Sequence, residues 1–151
     1  MEPTDLGLMP YLVVSDGRAA MDFYKKAFDA KEIALHTAPN SEKVMHGRVE
    51  IYGSTVMFAD DFPEYMGGKS HTPQALGGSP VTLHLQLENA QAAWDKAIAA
   101  GCKATMPLKE QFWGDIYGKF VDPFGHEWSM GQNVKQLSDA ELEAGAKAAF
   151  K

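Results

Sequence analysis

Met9-Pro10-Tyr11-Leu12-Val13-Val14-Ser15-Asp16 runs into Gly17 to Ala30, and Val81-Thr82-Leu83-His84-Leu85-Gln86-Leu87-Glu88 runs into a second segment of the same kind. Both opening stretches read as strands. Behind the first, Ala20, Phe23, Tyr24, Ala27 and Phe28 recur at helical spacing, and behind the second so do Ala93, Trp94, Ala97 and Ile98. The match is closest between Phe23-Tyr24-Lys25-Lys26-Ala27-Phe28 and Ala93-Trp94-Asp95-Lys96-Ala97-Ile98. A repeated strand–helix unit constrains the whole architecture, so it ranks above any single element. The first helix is expected to end at Asp29-Ala30 and the second at Gly101, a residue suited to a left-handed cap.

Each copy continues with a weaker strand and then a hairpin. In the first, His46 to Ile51 turns at Tyr52-Gly53-Ser54 into Thr55 to Asp60. In the second, Tyr117 to Val121 turns at Asp122-Pro123-Phe124-Gly125 into Glu127 to Met130. The chain is therefore an α+β protein of two βαβββ modules, 8–60 and 81–131. Residues 61–80, rich in Gly and Pro, form the connection, which reads as a linker, an arm or a lid. Ser138-Asp139-Ala140-Glu141 is a capping box that opens a terminal helix over 136–151.

Composition narrows the function. The 151 residues suit one domain with a real core. A formal net charge of −6, with no clustering of Lys and Arg, is the wrong sign for nucleic acid or an anionic membrane. The lone Cys102 excludes an internal disulfide and a cysteine-built zinc site, and reads as an inert thiol. No apolar run approaches the roughly 20 residues of a membrane span. The acidic Met1-Glu2-Pro3-Thr4-Asp5 is unlike a secretory signal, so a cytoplasmic protein is expected.

The stretches Pro10 to Val14, Phe23 to Phe28 and His46 to Ile51, together with Trp113-Gly114-Asp115-Ile116-Tyr117-Gly118-Lys119-Phe120-Val121-Asp122-Pro123-Phe124-Gly125-His126-Glu127-Trp128, resemble the glyoxalase/bleomycin-resistance/dioxygenase (vicinal oxygen chelate) superfamily, and within it the PhnB-like branch. The resemblance implies paired modules whose curled mixed sheets enclose a cleft, commonly in a homodimer. Some PhnB-like proteins carry a methyltransferase name. Nothing here supports that activity, because no Gly-rich turn joins a parallel strand to a helix in a doubly wound setting.

Metal-dependent members place ligands on the inner faces of the first and last strands of each module. By the shared landmarks those places fall on Met9, Met57, Thr82 and Ser129, which are poor ligands for zinc, nickel or iron. No metal or other cofactor is expected. A shift of two residues would bring His84 and Glu127 to two of the four places.

Strand parity selects the residues that face the cleft. Leu83, Leu85 and Leu87 point to the helix layer, which turns Thr82, His84 and Gln86 the other way. The same alternation turns Tyr11, His46, Arg48, Glu50, Met57, Tyr117, Lys119, Glu127 and Ser129 toward the cleft. A solvated sheet face alternates in the same way, so Arg48, Lys119 and Glu127 read equally as ordinary exposed residues. Trp113 is either a hydrophobic plug or a stacking wall for a bound ring.

No serine carries a nucleophile elbow. Two functions remain open. One is a metal-independent binder of an aromatic or amphipathic small molecule, stacked on Trp113 and Tyr11 and oriented by His46, Glu50 and His84. The other is a lyase, isomerase or dioxygenase using one divalent ion on a set such as His46, Glu50, His84 and Glu127.

Overall fold

The computed structural model describes residues 6–150, so the acidic N-terminal stretch and Lys151 lie outside the described residues. The first module runs β1 (Tyr11–Val14), α1 (Gly17–Phe28), β2 (Lys31–Thr37), β3 (Val44–Ile51) and β4 (Ser54–Asp60). The second runs β5 (Thr82–Gln86), α3 (Ala90–Ala100), β6 (Lys103–Glu110), β7 (Asp115–Val121) and β8 (Glu127–Asn133). Between them a 3-10 turn (Pro63–Tyr65) and the short helix α2 (Pro73–Leu76) give the connection local order, and α4 (Asp139–Ala149) follows the second module. The backbone ladders make two four-stranded mixed sheets, ordered β1-β4-β3-β2 and β5-β8-β7-β6, with one parallel pair in each.

Local chemistry explains the boundaries. Asp16 caps α1 by accepting from the Ala19 amide, and Asn89 caps α3 by accepting from Ala92. Asp29 ends α1 in the left-handed region at φ 52°, and Gly101 ends α3. The first hairpin is a two-residue turn with positive φ at Tyr52 and Gly53, the geometry whose twist matches antiparallel strands. Thr72 caps α2, with Pro73 at its first turn, and the Asp61 carboxylate accepts from Ser70 and the His71 amide. Ser138 and Glu141 form the expected capping box on α4.

The core lies where the modules meet. Tyr24 and Phe28 of α1 pack against Trp128, with Phe28 and Trp128 centroids 4.7 Å apart, and Phe58, Phe120 and Phe124 close the cluster. At its centre is the buried Asp122 carboxylate. One oxygen accepts the Phe124 and His126 amides at 2.8 and 3.0 Å, shaping the second hairpin. The other accepts the Tyr24 hydroxyl at 3.0 Å and the Trp128 indole at 2.9 Å. Burial first, and the Asp122 charge second, hold the Tyr24 phenol well above its ordinary pKa, so it remains a donor. The same two causes push the neighbouring Cys102 thiol up to about 12, which keeps it protonated and inert at neutral pH. His126 adds a second bridge, 2.8 Å from Nε2 to the Val13 carbonyl of the other module.

The chain end builds one wall of the site. Gly114 takes φ 94°, and its carbonyl accepts the Val134 and Lys135 amides at 2.9 and 3.0 Å. Beyond them α4 buries none of its residues, and it touches the Gln111–Gly114 loop where Gly145 and Phe150 meet Phe112. Phe112 in turn packs edge-on against Trp113 at 5.1 Å.

Two outcomes are expected. Asp122→Ala strands four donors, three of them in buried contacts, and lowers stability by about 3 kcal/mol or more, read as a fall in the urea midpoint. Tyr24→Phe leaves three donors on the carboxylate and costs about 1–2 kcal/mol. An Asp122→Ala midpoint equal to the parent's would remove this carboxylate as the joint between modules. A chain ending at Leu137 keeps its core but releases Phe112, so the Trp113 indole N–H resonance shifts while those of Trp94 and Trp128 stay; an unchanged Trp113 resonance would show that the loop stands without α4.

Candidate functional site

In the first sheet the site is a row across three strands. Tyr11 on β1 faces Met57 on β4, which faces Arg48 on β3. Tyr11 also meets His46, because the small residue beyond Met57 on that face of β4 is Ala59. The Tyr11 hydroxyl lies 3.2 Å from His46 Nδ1 and the ring centroids are 5.8 Å apart. His36 stacks on the other ring at 6.3 Å and 15°. Burial, then the charges of Arg48 and His36, lower the His46 pKa from its ordinary 6.5 and favour the neutral ring, whose Nδ1 accepts the Tyr11 hydroxyl hydrogen bond when the ring proton is on Nε2. Arg48 also reaches the Met57 sulfur at 3.9 Å. Glu50 stands exposed between Lys31 and Thr55.

The second sheet repeats the row with the residue types exchanged. His84 on β5 faces Ser129 on β8, which faces Lys119 on β7. Here the histidine is on the first strand and its tyrosine, Tyr117, is on the third, again at 5.8 Å between centroids. The rings meet over Gly131, where a Cβ would stand 2.8 Å from Gln86 Oε1 and 3.0 Å from His84 Cε1 and would displace the Gln86 side chain that holds the imidazole. His84 is held at both nitrogens, with Nδ1 2.7 Å from the Ser129 hydroxyl and Nε2 2.8 Å from the Gln86 side-chain oxygen, to which it donates. Ser129 is only 1% exposed, lying beneath His84 rather than on the open face that parity alone implies.

Trp113 adds an edge-on contact to Tyr117 at 5.5 Å. Together with Thr82, His84, Asp115, Tyr117 and Ser129 it bounds a cavity of about 360 Å³. Asp115 was absent from the sequence-based candidates, although it shares the parity of Tyr117 and Lys119 and the same alternation reaches it. Glu127 faces Thr82 and Val121.

The candidates thus fall into two groups. Tyr11, His46, Glu50 and Met57 share one sheet face, whereas Thr82, His84, Gln86, Tyr117, Glu127 and Ser129 share the other, with Trp113 at its rim. The modules meet along a seam that holds two cavities. One, of about 310 Å³, lies among Met9, Pro10, Ile51, Leu83, His84 and Trp128, and the other, of about 300 Å³, brings Tyr11 next to Glu127.

The positions that the resemblance assigns to metal do not fit a catalytic divalent ion. Met9, Met57, Thr82 and Ser129 offer two thioethers and two hydroxyls, with Met57 sulfur taken by Arg48 and Ser129 by His84. Shifting to His84 meets a ring with both nitrogens engaged. Among the described residues no three His, Cys, Asp or Glu side chains gather as a metal group, so His46, Glu50, His84 and Glu127 are not assembled within the chain.

A family model described as glyoxalase/bleomycin resistance protein/dioxygenase superfamily matches residues 8–130. An uncharacterized protein of Mycobacterium bovis is 47% identical over 137 residues, covering 91% of this chain and 90% of that protein. Two solved structures share the fold at low identity. The PhnB protein of Bacillus cereus, named a putative 3-demethylubiquinone-9 3-methyltransferase, superposes with TM-score 0.62 at 18% identity over 84% of this chain and 99% of its own. The fosfomycin resistance protein FosX of Listeria monocytogenes, complexed with Mn(II) and sulfate, does so with TM-score 0.60 at 16% identity over 92% and 94%. With the paired modules and the extent of these matches, the chain belongs to the glyoxalase/bleomycin resistance protein/dioxygenase superfamily.

Proposed function

We propose that this protein is a metal-independent, homodimeric small-molecule binding protein whose ligand presents an aromatic or amphipathic group. The observation that carries the reading is the cavity bounded by Trp113, Tyr117 and His84, in which the imidazole that could serve a metal is instead tied to Ser129 and Gln86. Ring walls with a few fixed polar groups are the chemistry of ligand recognition. The Tyr11–His46 pair supplies a second polar element, on the other sheet. Both sheet faces are open in the single chain, and the half-exposed Tyr11 is among the groups a second copy would help enclose. The methyltransferase name of the Bacillus relative does not transfer, since parallel pairing here is confined to one strand pair per sheet and forms no doubly wound cofactor site.

Elemental analysis of protein purified without chelator or affinity tag is expected to find metal far below one ion per chain, and light scattering to find a dimer. Stoichiometric nickel, zinc, iron or manganese would overturn the metal-independent reading and favour the lyase, isomerase or dioxygenase one, with His84 and Glu127 as the first positions to mutate. Trp113→Ala should weaken ligand uptake by about 1 kcal/mol or more with the fold intact. Nuclear magnetic resonance titration should place His46 below its ordinary 6.5. Folded His46 resists protonation more than unfolded His46, so its contribution to stability is present above pH 6.5 and is lost as pH falls through that value toward the folded pKa. Arg48→Ala should raise the midpoint only in part, because burial is the larger cause; a midpoint at or above 6.5 in the parent would overturn the neutral-acceptor role.

A further inference from the structure

The Trp113 cavity joins three aromatic walls to one acid. Asp115 shares the cavity with Trp113, Tyr117 and His84, and no lysine or arginine lines it. One Asp115 oxygen accepts the Asn133 side-chain amide at 3.0 Å, and no other side-chain donor reaches the carboxylate among the described residues. Asn133 is itself anchored, donating to the Lys135 carbonyl at 3.1 Å, so the acid is held from behind by the chain segment that straps the loop. Lys119 stands opposite Ser129 and Lys109 opposite Tyr117, both outside the cavity lining. Lys135, nearer the loop, is spent on Glu110 at 2.7 Å.

Aromatic faces carry negative potential and attract cations, most strongly when water is excluded, and a carboxylate beside them adds a full charge. An anionic ligand finds no counter-charge in this cavity and meets Asp115. The chain's net charge of −6 adds a long-range field of the same sense. We propose that the Trp113–Tyr117–His84–Asp115 cavity takes the cationic group of an organic ammonium ligand, its charge against the rings and the Asp115 carboxylate. The inference rests on the small-molecule reading above and adds the charge of the ligand to it. A cavity of about 360 Å³ is large enough for a trimethylammonium group and an adjoining ring.

The test uses the full chain and three probes of similar size at equal ionic strength: benzyltrimethylammonium, benzyl alcohol and phenylacetate. Binding is followed through the Trp113 indole and the Tyr117 and Thr82 amide resonances. The expected result is that the cation binds about tenfold more tightly than the neutral probe, that phenylacetate is weakest, and that Asp115→Asn removes most of the preference. Asparagine keeps an oxygen for Asn133, and a matching amide spectrum establishes that the variant is folded. The probe comparison on the parent stands without any variant. Equal or stronger binding of the neutral or anionic probe at these resonances overturns the charge assignment and leaves the binding reading in place. A cation preference that survives Asp115→Asn overturns the role of Asp115. If none of the three probes moves the Trp113, Tyr117 or Thr82 signals, the ammonium site and the ligand role of this cavity both fail.

Discussion

The Asp122 carboxylate is the constraint on which the two-module arrangement depends. A buried acid must have its charge met by donors, and this one draws them from both modules: the Tyr24 hydroxyl from α1, the Trp128 indole from β8, and two amides of its own hairpin. Because the last two shape the turn that aligns β7 with β8, a single ion ties the register of the second sheet to the position of the first helix. The aromatic cluster around it then has little freedom, with Tyr24 and Phe28 meeting Trp128 and Phe120 across the module boundary. The ion pairs elsewhere lie among exposed side chains and contribute far less.

The pseudo-symmetry of the sheets shows how one scaffold carries two different half-sites. Tyr11, Met57 and Arg48 stand in register in the first sheet as His84, Ser129 and Lys119 do in the second. A tyrosine and a histidine meet across the middle strand in both. What differs is how the histidine is held. His46 has one polar partner on Nδ1, and burial first, with the Arg48 charge beside it, favours its neutral form. His84 is clamped through both nitrogens over a glycine, which makes it a fixed wall. The two modules therefore present one face with a tyrosine paired to a neutral imidazole and one suited to packing rings.

Much of this was legible in the sequence because period-two alternation survives folding. Leu83, Leu85 and Leu87 against Thr82, His84 and Gln86 separated the two faces of β5 without any knowledge of its neighbours, and the Tyr52-Gly53 turn set the first hairpin. The interactions that decide the chemistry were not legible, because they depend on pairing between distant segments. His84 and Ser129 are 45 residues apart and meet only through the parallel β5–β8 register, which also buries Ser129. The roles of Asp122 and Cys102 depend on the packing of α1 against the second hairpin. Asp115 was reachable by parity but sits beside a loop whose shape is imposed by the chain end, through Gly114 and residues 133–135.

Poor metal ligands at Met9, Met57, Thr82 and Ser129 have, under the proposed metal-independent reading, a physical consequence for what the scaffold recognises. A bound divalent ion would dominate the local field and favour anionic oxygen ligands. With Ser129 at the corresponding position of the second sheet, the proposed ligand would meet ring faces and the Asp115 carboxylate, a weaker and opposite preference. Recognition of the proposed kind must come from shape and contact area, which demands rigid walls. The structure supplies them by tying Trp113 to Tyr117 and Phe112, Phe112 to α4, and His84 to Ser129 and Gln86. A helix with no buried residue is a poor investment for stability, and its position against Phe112 makes sense as support for a wall of the site.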